Sequence, residues 1–188
     1  MRIISGLARN TKLEYPLGES SRVTLERVKE NFFNAIHFAL PGARVLDLFA
    51  GSGQLGLEAV SRGASEAVLV DRSSECAEII KRNVKAARFT DRCAVYTYDY
   101  AEYLNTQRRR TDGRRFDIVF LDPPYDADLI SGAAERLVRF ALLAPSALII
   151  CESEQKELDF PENVRAAIEG TRVYKYGKVY VHALEMNG

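Results

Sequence analysis

Asp122, Pro123, Pro124 and Tyr125 follow directly on the apolar run of residues 116–121 and bring together a carboxylate, two rigid imide units and an aromatic ring. Proline has a fixed φ and no N–H, so neither proline can donate to a sheet ladder and both carbonyls stay open to accept. At the C-terminal end of a strand this combination forms a pocket for a planar amine. Asp122, Pro123, Pro124 and Tyr125 are therefore the catalytic candidates.

A second stretch, residues 45–56 (VLDLFAGSGQLG), reads as a strand followed by a glycine turn that opens a helix. Such a turn lets the backbone approach a ligand at the helix N-terminus. Gly51, Gly53 and Gly56 satisfy G-x-G-x-x-G, and Asp71 follows Gly51 at the distance where a carboxylate can accept from both hydroxyls of a ribose. A nicotinamide or flavin enzyme shares this pattern. Asp47, inside the apolar strand, points elsewhere, because a buried carboxylate is costly unless a donor or cation pairs with it. A pyrophosphate would repel it. The methionyl ammonium of S-adenosylmethionine would suit it, directly or through water, and that ligand brings no phosphate. The plainer reading of Asp47 is a carboxylate satisfied by the backbone amides of its own loop.

The elements that must position these groups can be read from periodicity. Strands are expected at residues 44–49, 67–71, 93–99, 116–122 and 147–152, with helices at 54–62, 74–88 and 128–142 and a short turn near 101–106. Strands alternating with amphipathic helices indicate a parallel sheet covered on both faces. After Pro161 a weaker helix leads to two alternating runs around Gly177 and Lys178, which reads as a hairpin. Ahead of the core, residues 2–14 suit a short hairpin. A helix over residues 24–39, with Thr24 as its N-cap and Leu25, Val28, Phe32 and Ile36 on one face, ends at Pro41 and Gly42. The chain is read as one domain over residues 1–188, an extension (1–40) followed by a catalytic core (41–188). Asp99 joins Asp47, Asp71 and Asp122 at the same edge of the sheet. Any single one could be a helix N-cap, but four strands that each deliver an aspartate to one rim define a ligand site.

Lys+Arg 26 against Asp+Glu 26 leaves no net charge, so attraction to a nucleic acid must come from local patches. Arg2, Arg9 and Lys12 precede the first acidic residue, Glu14, and residues 108–115 carry five arginines against one aspartate. The second patch precedes the fourth strand and so is expected at the edge opposite Asp122, outside the catalytic pocket. Cys76, Cys93 and Cys151 form no Cys-x-x-Cys pair and only His37 and His182 accompany them, which indicates neither a disulfide framework nor a metal site. No signal core and no run long enough to span a membrane is present, so a cytoplasmic protein is expected.

These residues together resemble a known family. Residues 1–6 (MRIISG), Arg22, Val23 and Thr24, then Arg27, Val28 and Lys29, Phe33 and Asn34, residues 46–53, residues 121–125, and Tyr176 with Gly177 are similar to the bacterial 16S rRNA guanine 2-amino methyltransferases of the RsmD type, over essentially the whole length. The chain departs from that pattern at Val23, where the family usually has proline, and at Asn10, where it commonly has glycine. Asp-Pro-Pro-Tyr alone also marks adenine 6-amino DNA methyltransferases.

The resemblance implies an α/β fold, a Rossmann-like class I S-adenosylmethionine-dependent methyltransferase sheet. That sheet is mostly parallel with an antiparallel C-terminal strand, preceded by a short N-terminal β-hairpin and helix. It implies that S-adenosylmethionine lies across the strand ends, held by Asp47, Phe49, Gly51, Ser52, Gly53, Asp71, Arg72, Asp99 and Tyr100, with Asp99 and Tyr100 at the adenine. The substrate implied is a guanine of 16S rRNA within a small-subunit assembly, without metal or membrane. Asp122 and the Pro123 carbonyl would take the amine hydrogens, and Tyr125 would stack on a base that is unpaired or flipped out. Arg2, Arg9, Lys12, Arg22 and Arg27 would hold phosphates beside the active rim. Two other readings stand against this one: DNA adenine methylation by the same pocket, and a catalytically silent RNA-binding assembly factor. A nicotinamide oxidoreductase lacks an evident hydride-transfer acid.

Overall fold

Short aliphatic runs separated by amphipathic segments bury best as strands of one sheet with helices on its two faces. The computed structural model has that arrangement; it describes residues 1–16, 23–108, 113–123 and 127–187, with 23–28 and 127 through their backbone alone. Seven strands are ordered β3-β2-β1-β4-β5-β7-β6. β1 (Arg44–Asp47), β2 (Glu66–Asp71), β3 (Cys93–Thr97), β4 (Phe116–Leu121) and β5 (Leu143–Ser153) are parallel. β7 (Val179–Met186) runs antiparallel between β5 and β6 (Ile168–Tyr176). The strand order reverses between β1 and β4, so the crevice at their C-terminal ends is where this topology places a ligand.

α1 (Val23–Ala35), α2 (Gln54–Ser61) and α3 (Ser74–Ala86) supply one face. α4 (Tyr100–Gln107), α5 (Ala127–Arg139) and α6 (Glu162–Ala167) supply the other. Period-2 alternation divides the strands accordingly: Val45, Leu69, Phe120 and Ile150 join the first core, and Leu46, Val70, Leu121 and Cys151 the second. On the first face Phe32 and Phe33 of α1 meet Phe120 with ring centroids 5.9 and 5.6 Å apart. Burying each such ring contributes roughly 2–3 kcal/mol, enough to fix α1 across β4.

Several expectations shift. α1 begins at Val23, which puts Thr24 inside the first turn instead of at the cap, and it ends at Ala35 before a separate 3-10 turn (His37–Ala39). β3 stops at Thr97, and the expected turn near 101–106 is a full helix capped by Asp99, whose side chain accepts from Ala101 N at 2.8 Å. β5 starts early, at Leu143, and its register against β4 shifts between Phe116 and Ile118, where Ser146 takes a positive φ. The N-terminal hairpin reduces to one bridge, Arg2 to Lys12, although its backbone pairs further through Ile3 N to Thr11 O and Asn10 N to Ile3 O. Asn10 has φ 70, a conformation asparagine tolerates better than most residues, and so it can stand where a glycine would otherwise serve.

The arm is joined to α2. Gly6 passes so close to the end of that helix that a Cβ there would lie 1.7 Å from Ser61 O. Leu7 N donates to Ser61 O, and Ala8 N to Ser61 Oγ at 3.0 Å. Ile4 N and Ser5 N donate to Glu58, whose side chain is wholly buried and also pairs with Arg62 and Lys29. At the other end of the arm, Glu14 N donates to Asn83 Oδ1, and Asn83 Nδ2 donates to Ser52 O of the glycine turn.

Candidate active site

The site grows from the turn after β1. Gly51 and Gly53 have φ of 54° and 78°, left-handed values that an ordinary side chain resists, and their conformation lets α2 begin directly above the strand end. Asp47 reaches into the first turn of α2: its Oδ2 accepts from Gly56 N at 3.0 Å, satisfying one of the helix's orphan amides. Its Oδ1 is buried and has no hydrogen-bond partner among the described residues. Burial of the carboxyl, with only 1% exposed, pushes its pKa up to about 7; the Gly56 amide pulls it down, while nearby Asp122 and Asp71 raise it further. One amide of α2 thus satisfies one oxygen of Asp47, and the other is left as a buried acceptor, which is costly unless a donor or cation pairs with it.

Asp71 braces the same turn. Its Oδ2 accepts from Gly51 N and its Oδ1 from Ser73 N, both at 2.8 Å. Each carboxylate oxygen carries two lone pairs, so both can still accept a ribose hydroxyl. Ser52 is buried and held through its carbonyl by Asn83, whereas Arg72 is exposed. Phe49 and Tyr100 face each other with centroids 5.5 Å apart, giving an aromatic wall beside the Asp99 cap. The unpartnered Oδ1, two oxygens placed for a diol and this wall fit S-adenosylmethionine: Asp47 would hold its methionyl end, Asp71 its ribose, Tyr100 its adenine.

Asp122 and Pro123 follow β4 at the switch point. Asp122 lies close enough to Asp47 to act on its charge, across the pair Asp47–Phe120. Pro124 and Tyr125 lie outside the described residues, as does Arg22; Arg27 is in α1, described by its backbone. Asp122 lines a crevice with Lys29 and Phe32 of α1, Gln54 and Leu55 of α2, Phe120 of β4, Ile150 and Glu152 of β5, and Val181 of β7.

Three of these polar groups, Lys29, Gln54 and Glu152, were not among the expected site residues, nor were Glu58 and Asn83. A lysine at position 29 falls on the same helical face as Phe32 and Ile36, and a glutamate at 58 sits in a helix buried all round, so both carried a signal. Lys29 Nζ lies 3.5 Å from Glu58 and donates to Arg2 O.

The basic residues separate. Arg2, Arg9 and Lys12 are exposed, but the turn carrying Arg9 is anchored at Ser61, the end of α2 away from the rim, about 10 Å down the helix. Arg114 pairs with Glu66, and Arg44 Nη1 donates to Arg114 O at 3.1 Å, at the starts of β1 and β2. Arg114 and Arg115 thus lie at the edge opposite Asp122, as expected, while residues 109–112 lie outside the described residues. Among the described residues no helix is long and apolar enough to cross a membrane, and no group of His, Cys, Asp and Glu could hold a metal.

A mostly parallel sheet of this order, a glycine turn after β1, carboxylates ending β1 and β2, and Asp122 at the switch point define a class I S-adenosylmethionine-dependent methyltransferase. The family described as Conserved hypothetical protein 95 matches residues 1–185. YlbH of Bacillus subtilis is 35% identical over 188 residues, covering 100% of both chains. The Ribosomal RNA small subunit methyltransferase D of Haemophilus influenzae is 36% identical, over 87% of this chain and 84% of that one. The solved structure of yhhF from Escherichia coli superposes with a TM-score of 0.84 at 31% identity, covering 100% of this chain and 98% of that chain. The chain belongs to the RsmD-type family of rRNA methyltransferases.

Proposed function

We propose that this chain transfers the methyl group of S-adenosylmethionine to the exocyclic 2-amino group of a guanine in 16S rRNA, presented within a small-subunit assembly. The observation that carries the reading is the adjacency of Asp122, at the end of β4, to the cofactor turn after β1. When bound, S-adenosylmethionine supplies a methyl carbon on a positively charged sulfur, which leaves with the electron pair of the broken C–S bond.

The protein's part is alignment and exclusion of water. Guanine's 2-amino lone pair is delocalised into the ring and is a weak nucleophile. The Asp122 carboxylate and the Pro123 carbonyl, accepting its two hydrogens, draw the nitrogen toward tetrahedral geometry and aim the lone pair across the crevice toward β1. As nitrogen gains its fourth bond, these acceptors stabilise the growing positive charge, and Asp122 takes up the proton that nitrogen sheds. Tyr125, which lies outside the described residues, would stack on the flipped base. The family name of the Haemophilus influenzae relative, a small-subunit rRNA methyltransferase, supports this choice of substrate.

Incubating the protein with methyl-labelled S-adenosylmethionine and unmodified small subunits is expected to label one guanine, mapped by mass spectrometry as a 2-methyl product. Transfer to duplex DNA adenine in place of rRNA would overturn the reading, and RNA binding without turnover would favour the silent assembly factor.

A further inference from the structure

Asp122 does not line its crevice alone. Leu121 and Cys151 are register partners in β4 and β5, so the residues that follow them, Asp122 and Glu152, are neighbours on adjacent strands, separated by roughly the 4.8 Å strand spacing. Both line the crevice beneath α1, with apolar walls from Phe32, Leu55, Phe120, Ile150 and Val181 and with Lys29 as the one cation among its described lining residues. Resting on the reading of Asp122 above, we propose that Glu152 selects the acceptor base by accepting the N1–H of guanine while Asp122 and Pro123 hold the 2-amino group.

The chemistry follows from the edge a guanine presents. Its N1–H and 2-amino group are adjacent donors, and two carboxylates side by side are adjacent acceptors. Adenine carries a lone pair at N1, which a carboxylate repels, and so does 2,6-diaminopurine, although the latter keeps the 2-amino group that receives the methyl. Steric exclusion cannot distinguish guanine from 2,6-diaminopurine at that edge, whereas the half-buried Glu152 carboxylate facing a lone pair can, because neither group finds a donor. Lys29, at the α1 wall, offsets the charge that two carboxylates bring to one crevice. Apolar walls keep water from substituting for the missing donor.

The test compares reconstituted small subunits carrying either guanine or a single 2,6-diaminopurine at the position the wild-type protein methylates. The wild type is expected to favour guanine by at least about a hundredfold in kcat/KM, the range open to a site that hydrogen-bonds a specific group. Glu152→Gln exchanges a charged group that only accepts for a neutral amide that can also donate to a bare N1, so the preference is expected to fall by about tenfold or more, through weaker binding of guanine and relief of the repulsion at 2,6-diaminopurine, with S-adenosylmethionine affinity unchanged. Equal losses on both substrates, or a ratio within about twofold of wild type, would overturn the assignment. If Glu152→Gln does not fold, Glu152→Asp, which withdraws the carboxylate by one methylene, is read by the same ratio and must lower it. A wild-type protein that labels no rRNA guanine would defeat the proposed function itself; one that labels guanine with an unmoved ratio defeats only the role of Glu152.

Discussion

The two halves of the sheet's C-terminal rim are built differently. On the β1 and β2 side, the carboxylates are tied to backbone amides: Asp47 to Gly56, Asp71 to Gly51 and Ser73, and, next to them, Asp99 to Ala101. Each partner lies in an adjoining turn or helix, at most 20 residues away. On the β4 and β5 side, the crevice is walled by residues from α1, α2, β4, β5 and β7, spread from Lys29 to Val181. The half proposed to hold the cofactor is thus preorganised by local turns, and the half proposed to hold the acceptor exists only once distant elements have packed. The methyl-donor chemistry can therefore sit on one half while selection of the acceptor is set on the other.

Substitutions on each half should separate the two. Asp122→Ala is expected to lower methyl transfer by about a thousandfold, the scale of losing a group that stabilises developing charge, while calorimetry finds S-adenosylmethionine binding within about threefold of wild type. A parallel loss of cofactor affinity would erase the division. Glu58→Ala leaves Lys29 and Arg62 without their buried partner and frees the amides of Ile4 and Ser5, so urea denaturation should show a loss of about 3–5 kcal/mol.

Asp47 offers a test with a sign. Its pKa is 3.8 ordinarily and about 7 in the fold, so the folded protein holds the proton more tightly, and stability is full below pH 4 on this account and declines as pH rises toward 7. Asp47→Asn should remove that decline, a change on the order of a few kcal/mol between pH 5 and 8 in denaturant titrations. In the wild type, S-adenosylmethionine should bind more tightly across the same window and release a proton, since its ammonium favours the ionised carboxylate; calorimetry in buffers of different ionisation enthalpy reads that proton, and its absence would place the ammonium elsewhere.

The smallest effect is expected on the arm. Replacing Arg2, Arg9 and Lys12 by alanine should leave cofactor affinity intact and flatten the salt dependence of binding to single-stranded RNA by about 0.7 for each phosphate that the arm ceases to neutralise. Because Arg9 sits at the far end of α2, its single substitution should move the slope least.

Much of this was legible in the chain. Asp47, the glycine turn, Asp71 and Asp122 could be placed because strand and helix periods are local and each marks an element's end. Asp99 was legible as a rim carboxylate, though α4 proved longer and β3 shorter, since an N-cap and a strand end look alike in sequence. Glu152, by contrast, looked like any residue closing a strand, and Lys29, though on the apolar face of its helix, gave no hint of what it meets; what they face depends on how α1 crosses β4.

The order of residues therefore dictated the strands, the turn after β1 and the carboxylates at the ends of β1, β2 and β4, because hydrophobic period, proline and glycine act over a few residues. Packing alone settled the rest: that α1 lies over the ends of β4 and β5, that Asp122 and Glu152 become neighbours, and that the arm fastens to Glu58 and Ser61. Those outcomes depend on burying apolar area between segments far apart in the chain, an energy that no local stretch contains.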